Sequence, residues 1–107
     1  MVYGIGTDIV AVERIAVKIA KGNGFKEKTF SAAEIAYCEG KAKAAEHFAA
    51  RFAAKEALAK ALGTGWTGQC EITDVEVVND AMGKPSFDLK PPAKAILTQA
   101  GIEYIHL

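Results

Sequence analysis

Four charged residues interrupt an alanine- and leucine-rich stretch, RFAAKEALAKALGTG (residues 51–65). On a helical wheel Phe48, Phe52, Ala59 and Leu62 share one face, with Leu58 nearby. Lys55 falls inside that face, Glu56 borders it and Lys60 lies one turn beyond Glu56. With Arg51 the charges are spread around the wheel, whereas a surface helix gathers them on one wet side. One account is an ordinary i,i+4 pair between Glu56 and Lys60, worth about 0.3 kcal/mol. The other is divalent-metal chemistry beside phosphates, since Mg²⁺ takes one or two carboxylates plus phosphate oxygens and cations balance the remaining charge. A second carboxylate for such a site stands at Asp8, in GIGTDI (4–9). Taken alone, Asp8 reads as a helix N-cap.

The long helix must stop at Gly63, a natural C′ residue. Gly63-Thr64-Gly65-Trp66-Thr67-Gly68 matches G-x-G-x-x-G. The dinucleotide-binding fingerprint, however, belongs between a strand and a helix, and here the glycines follow a helix. What remains is a glycine turn whose free N–H groups and threonine hydroxyl can cradle a phosphate, or a plain helix cap.

The elements that position these residues follow from periodicity and turn chemistry. Val2–Ile5 reads as a short strand ended by Gly6-Thr7-Asp8. Helical spacing of Ile9, Val12, Ile15, Ala16 and Ile19 predicts a helix from Ile9 to Ala20, broken by Gly22-Asn23-Gly24. Ser31 and Glu34 have capping-box spacing at a second helix start. The alanine-rich helix runs from about Ala42 to Leu62 after a break at Gly40. Residues 72–78 alternate as a half-buried strand, 79–85 form a turn and 86–89 return as a hairpin. Pro91-Pro92 opens a helix to Ala100, Gly101 closes it, and Ile102–Leu107 reads as a last strand. The expected fold is a single α+β domain over 1–107, with helices packed on one small antiparallel sheet.

The 107 residues are half hydrophobic, enough for one modest core and hardly for two domains. Net charge is zero, giving no global bias toward nucleic acid or an anionic membrane. Locally, residues 11–28 carry Arg14, Lys18, Lys21, Lys26 and Lys28 against Glu13 and Glu27. Such a basic stretch on a neutral chain suits an acidic protein partner, or is a solvated helix face. Cys38 and Cys70 lack metal-ligand spacing and read as free buried thiols in a reducing compartment. No apolar run approaches membrane-span length and no secretory pattern opens the chain, so a soluble cytoplasmic protein is expected.

GIGTDIVAVERI and RFAAKEALAKALGTG together resemble the two signature motifs of the phosphopantetheinyl transferases, and more closely those of the bacterial holo-acyl-carrier-protein synthase type. The resemblance continues in order through FSAAEIAYC, DVEVVNDAMGKPSF and IEYIHL, over essentially the whole chain. It implies transfer of the 4′-phosphopantetheine arm of coenzyme A to a serine of apo acyl carrier protein, releasing adenosine 3′,5′-bisphosphate, in fatty acid biosynthesis. It assigns Asp8 and Glu56 to Mg²⁺ against the coenzyme A pyrophosphate, and Lys60 to that pyrophosphate and the transition-state charge. Thr64 and Gly65 would line the phosphate site, with Arg51 and His106 near the adenosine phosphates. Gly83, Lys84 and Pro85 would border the adenine. Lys55 belongs to the motif without an assigned role, and the proton acceptor stays open among Glu56, a water and another group. Arg14, Lys18 and Lys21 become candidates for docking the acidic carrier protein. The resemblance also implies a homotrimer with active sites between subunits, and neither nucleic acid nor membrane as partner.

In this family the chain continues past the equivalent of His106-Leu107 into a Ser-x-Ser/Thr-His segment and a final strand. The last residue here is Leu107, so either the sequence covers only part of the native protein or that last strand is absent, and with it a phosphate-contacting serine and a sheet edge. The leading rival is a catalytically impaired module that binds coenzyme A or the carrier protein without transfer. A structural trimeric domain, with Glu56–Lys60 as surface decoration, is a further one. The pseudo-dimeric branch of the family is about twice as long with two similar halves, and no internal duplication exists here.

Overall fold

A computed structural model describes residues 1–66 and 68–107; Thr67, within the glycine-rich turn, lies outside the described residues. Four helices come first: α1 (Val12–Ala20), α2 (Phe25–Thr29), α3 (Ala32–Glu39) and the long α4 (Ala44–Leu62). A single 3₁₀ turn (Ile72–Asp74) leads into β1 (Val75–Asn79), which pairs antiparallel with β2 (Pro85–Leu89) before α5 (Pro91–Gln99). The α+β class with helices on a small antiparallel sheet is as expected.

Several elements form for the reasons visible in their residues. The α3 capping box is present in both directions: Glu34 N–H donates to Ser31 Oγ and Ser31 N–H donates to Glu34 Oε1. Gly63 ends α4 at φ +78°, donating its N–H to the carbonyls of Ala59 and Lys60. The hairpin register places Val75 opposite Leu89 and Asn79 opposite Pro85.

Three expectations are corrected. Val2–Ile5 and Ile102–Leu107 are not strands, because a strand exists only where its backbone finds a partner, and the sheet consists of β1 and β2. The first helix starts at Val12 rather than Ile9, and Ile9 is exposed. Residues 72–74 wind into the 3₁₀ turn, so the strand begins only at Val75.

The core has two parts strung along α4. Ile15, Phe30, Cys38, Phe48 and Ala49 pack at its N-terminal half; Leu58, Cys70, Val75 and Ala93 pack at its C-terminal half. Both cysteines are free and buried, and burial pushes each thiol above its ordinary value. Between the two parts sits Lys55, fully buried. Its ammonium donates to Glu34 Oε1 at 2.6 Å, to the Thr29 carbonyl at 2.8 Å and to the Ile72 carbonyl at 3.3 Å. The other Glu34 oxygen accepts from Val77 N–H at 2.9 Å. Burial pulls the ammonium below its ordinary value, and the Glu34 carboxylate acts against that shift. Among the described helices none is long and apolar enough to cross a membrane.

Truncating Lys55 to methionine leaves the Glu34 carboxylate buried without its counter-charge, so Lys55→Met is expected to cost about 3–5 kcal/mol of stability in urea unfolding. Lys55→Met with Glu34→Leu, which removes both charges, is expected to recover part of that loss.

Candidate active site

The approach of the N-terminal segment to α4 creates the site. Gly4 and Gly6 lie directly on the helix backbone. A Cβ at Gly6 would stand 1.8 Å from the Ala57 carbonyl oxygen, and one at Gly4 would stand 2.2 Å from that of Ala61. Glycine in the segment and alanine in the helix are therefore matched, since any larger pair would hold the two backbones apart. The segment runs antiparallel to the helix, at Ala61 and then Ala57, which carries Asp8 toward the turn bearing Glu56.

Asp8 is not a helix N-cap. Ala11 occupies that position in α1 without a side-chain bond. The Asp8 carboxylate accepts instead from Lys60 Nζ at 2.8 Å, across 52 residues of chain, and the same ammonium donates to the Thr7 carbonyl at 3.2 Å. This also removes the Glu56–Lys60 pair, because Lys60 turns to Asp8. Glu56 is half-buried and, among the described residues, engages in no hydrogen bond or ion pair. The Asp8 side chain is 15% exposed and that of Lys60 57%, so the carboxylate is sheltered while the cation faces solvent.

Just beyond, the α4 C-terminus delivers Thr64 and Gly65. Both are exposed, Gly65 has φ +63° and the Thr64 hydroxyl donates to the Gly65 carbonyl at 3.3 Å. Asp8 and Lys60 thus meet directly, Glu56 stands one helical turn before Lys60 on the same side of α4, and Thr64 and Gly65 follow the end of the helix.

The other predicted residues lie elsewhere. At 100° per residue, Lys60 is about 180° around the helix from Arg51. Arg51 is buried, stacked with its guanidinium carbon 4.2 Å from the Tyr37 ring centroid, and donates through Nη2 to Asn79 Oδ1. Asn79 in turn donates to the Gly83 carbonyl at 3.0 Å, which brings Arg51 into line with the turn carrying Gly83, Lys84 and Pro85. His106 is exposed and lines a cavity of about 750 Å³ with Met1–Gly6 and Gly101–Leu107; no hydrogen bond or ion pair joins it to Arg51. Arg14, Lys18 and Lys21 lie along α1. Arg14 and Lys21 are exposed, and the Lys18 ammonium sits 5.3 Å from the Phe25 ring centroid. Among the described residues none of the three enters an ion pair with a carboxylate.

Among the described residues no group of three or more His, Cys, Asp or Glu side chains converges on a metal position. A pair of carboxylates suits a cation that completes its shell with phosphate oxygens and water, as Mg²⁺ does. The unpartnered, half-buried Glu56 on the helix turn toward which Asp8 is carried is the observation that fits such an ion. Sequence reasoning missed Asn79 and the docking glycines; the small residues at Gly4, Gly6, Ala57 and Ala61 were the available signal.

The chain is similar to known proteins over most of its length. Residues 4–104 match the family model of the 4′-phosphopantetheinyl transferase superfamily. A holo-[acyl-carrier-protein] synthase of Geotalea daltonii is 43% identical over 108 residues, spanning all of this chain and 86% of that protein. The crystal structure of holo-[acyl-carrier-protein] synthase from Neisseria meningitidis superposes with a TM-score of 0.88 at 39% identity, covering 96% of this chain and 83% of its own. A Bacillus anthracis holo-(acyl-carrier-protein) synthase in complex with CoA (3′,5′-ADP) superposes with a TM-score of 0.74 at 38% identity, covering 84% of this chain and 77% of its own.

Gly6→Ala must lift the N-terminal segment from α4 and separate Asp8 from Lys60. Its expected cost is about 1–3 kcal/mol, as for other overpacked contacts. Amide exchange should speed up at Ile5–Asp8 while the amides of α3 keep their protection.

Proposed function

Because the chain belongs to the 4′-phosphopantetheinyl transferase superfamily, we propose that it moves the 4′-phosphopantetheine arm of coenzyme A onto a serine of apo acyl carrier protein, releasing adenosine 3′,5′-bisphosphate, in support of fatty acid biosynthesis. One observation carries the reading to the level of residues. Asp8 and Lys60 meet from 52 positions apart, beside a free Glu56, in a chain that matches holo-[acyl-carrier-protein] synthases along its length.

Phosphoryl transfer asks the protein mainly for positioning and for charge neutralisation. The serine oxygen bonds to the phosphorus that bears the pantetheine arm, the bridging P–O bond breaks, and adenosine 3′,5′-bisphosphate leaves with the released charge. Asp8 and Glu56 are the residues to hold Mg²⁺, which when bound polarises the pyrophosphate oxygens. Lys60, exposed on a flexible stem, can exchange its bond to Asp8 for a pyrophosphate oxygen and balance the charge that develops there. Thr64 and Gly65 offer a hydroxyl and backbone N–H groups to the same phosphates. The serine proton leaves to Glu56, a water or another group.

We place the whole of residues 1–107 in one transferase domain and the protein in the cytoplasm as a homotrimer with sites between subunits. Two features support the trimer. Arg51 and the Gly83 turn lie on the other side of α4 from Asp8 and Lys60, which suits a coenzyme held between two chains. The extended segments at both ends expose Met1, Val2, Tyr3, Ile5 and Tyr104, an apolar surface of the kind that marks an interface. The basic face of α1, with Arg14, Lys18 and Lys21, fits an acidic carrier protein.

The test is intact-mass analysis of apo acyl carrier protein incubated with the chain, coenzyme A and Mg²⁺. A gain of one phosphopantetheine is expected, slowed about 100-fold or more by Asp8→Ala, as for lost alignment at a reacting centre. Coenzyme A binding without any mass gain would instead favour the impaired binding module. Arg14→Glu with Lys21→Glu is expected to raise KM for the carrier protein about tenfold at low salt and to leave KM for coenzyme A unchanged.

A further inference from the structure

The transferase reading puts Arg51 near the adenosine phosphates, yet the side chain is poorly placed to touch a ligand. It is 4% exposed, and its Nε is closed off from solvent without a hydrogen-bond partner. Its guanidinium is spent on two neighbours: the Tyr37 ring face, and Asn79 Oδ1 at the end of β1. Asn79 uses its other amide atom, Nδ2, to hold the Gly83 carbonyl at 3.0 Å. Gly83 has φ +86° and sits in the β1–β2 turn, immediately before Lys84 and Pro85. The turn is otherwise closed on itself: Asp80 Oδ1 accepts from the N–H groups of Met82 and Lys84, Asp80 N–H donates to the Lys84 carbonyl, and Gly83 N–H donates to the Asp80 carbonyl at 2.9 Å. Among the described residues, Asn79 is what ties the turn to the helical layer.

We propose that Asn79 is a positioning residue for the nucleotide end of coenzyme A, relaying Arg51 of α4 to the Gly83 carbonyl and so fixing the Gly83-Lys84-Pro85 turn. This rests on the transferase reading, which sets that turn beside the adenine. The orientation of the amide is dictated by its partners: Arg51 can only donate, so it must meet the oxygen, and the Gly83 carbonyl can only accept, so it must meet the nitrogen. The charged donor makes the first bond the stronger of the two. Arg51 therefore acts through Asn79 and on the adenosine as a whole, not on its 3′-phosphate alone.

Dephospho-coenzyme A, which lacks the 3′-phosphate, separates the two roles. Steady-state transfer is measured with both coenzymes for Arg51→Met, Asn79→Ala, the double variant and Asn79→Asp. The relay predicts that each single variant raises KM for both coenzymes by a common factor of about tenfold, the loss of one hydrogen bond to a charged group. It also predicts an unchanged kcat, and a double variant no worse than Arg51→Met because one chain of bonds is cut twice. Asn79→Asp keeps an acceptor for Arg51 but loses the donor to Gly83, so it should melt no lower than the wild type and still show the raised KM. That combination is not expected of a residue needed only for folding, and it serves if Arg51→Met fails to fold. Faster amide exchange at Gly83 and Lys84 in Asn79→Asp would report the released turn directly. An Arg51→Met defect confined to coenzyme A, with dephospho-coenzyme A unaffected, would overturn the relay in favour of direct phosphate contact, and so would a wild-type KM in Asn79→Asp. A wild-type chain that transfers nothing would overturn the transferase reading instead, and the exchange measurement would still decide whether the relay exists.

Discussion

The ammonium of Lys55 holds this fold together at one point. Its three acceptors come from the end of α2, the first turn of α3 and the 3₁₀ turn before β1, so a single buried charge joins three segments to the middle of α4. Glu34 extends the network by capping α3 and binding the Val77 N–H in β1. Removing a cation and a carboxylate from water carries a large desolvation cost, offset here because the donors and acceptors find partners inside. The consequence is directional. A hydrophobic contact would let α4 slide or rotate, whereas three oxygens around one nitrogen allow little of either.

That constraint sets the orientation of every other charge on the helix. With Lys55 pointing inward and Arg51 one turn before it on the same side, Glu56 and Lys60 are carried round toward the opposite side. There the helix is lined with alanine, and the glycines of the N-terminal segment settle on its backbone and bring Asp8 to Lys60. The alanine content that makes α4 a good helix also leaves room for a second backbone. Packing and chemistry thus draw on the same small side chains.

The two sides of α4 then do different work. One side carries buried charges bound to the rest of the fold, reaching the hairpin turn through Asn79. The other carries a sheltered carboxylate, an unpartnered one and an exposed cation, which suits phosphates because their charge is balanced without a deep pocket. At the two ends of the chain the unpaired apolar segments stay exposed.

Local signals sufficed for the elements whose stability is local. The Ser31–Glu34 box, the stop at Gly63, the hairpin around 79–85 and the length of α4 all follow from backbone groups satisfied within a few residues, and periodicity reports those directly. The motif pair drew attention to Asp8 and Lys60, which the fold brings into contact. Pairings across the chain were not legible: the partner of Lys55 lies 21 residues away at Glu34, and that of Lys60 lies 52 residues away at Asp8. Capping preference had made Asp8 a helix start, and i,i+4 spacing had made Lys60 a partner for Glu56; both rules hold for an isolated helix and yield when another segment packs on it. The terminal segments read as strands because their residues favour extension, but a strand is a property of two backbones. By itself the sequence determined which side chains carry charge and which segments can be helical, since those depend on residue type and near neighbours. The tertiary structure alone decided which charges meet, because that depends on where distant backbones come into contact.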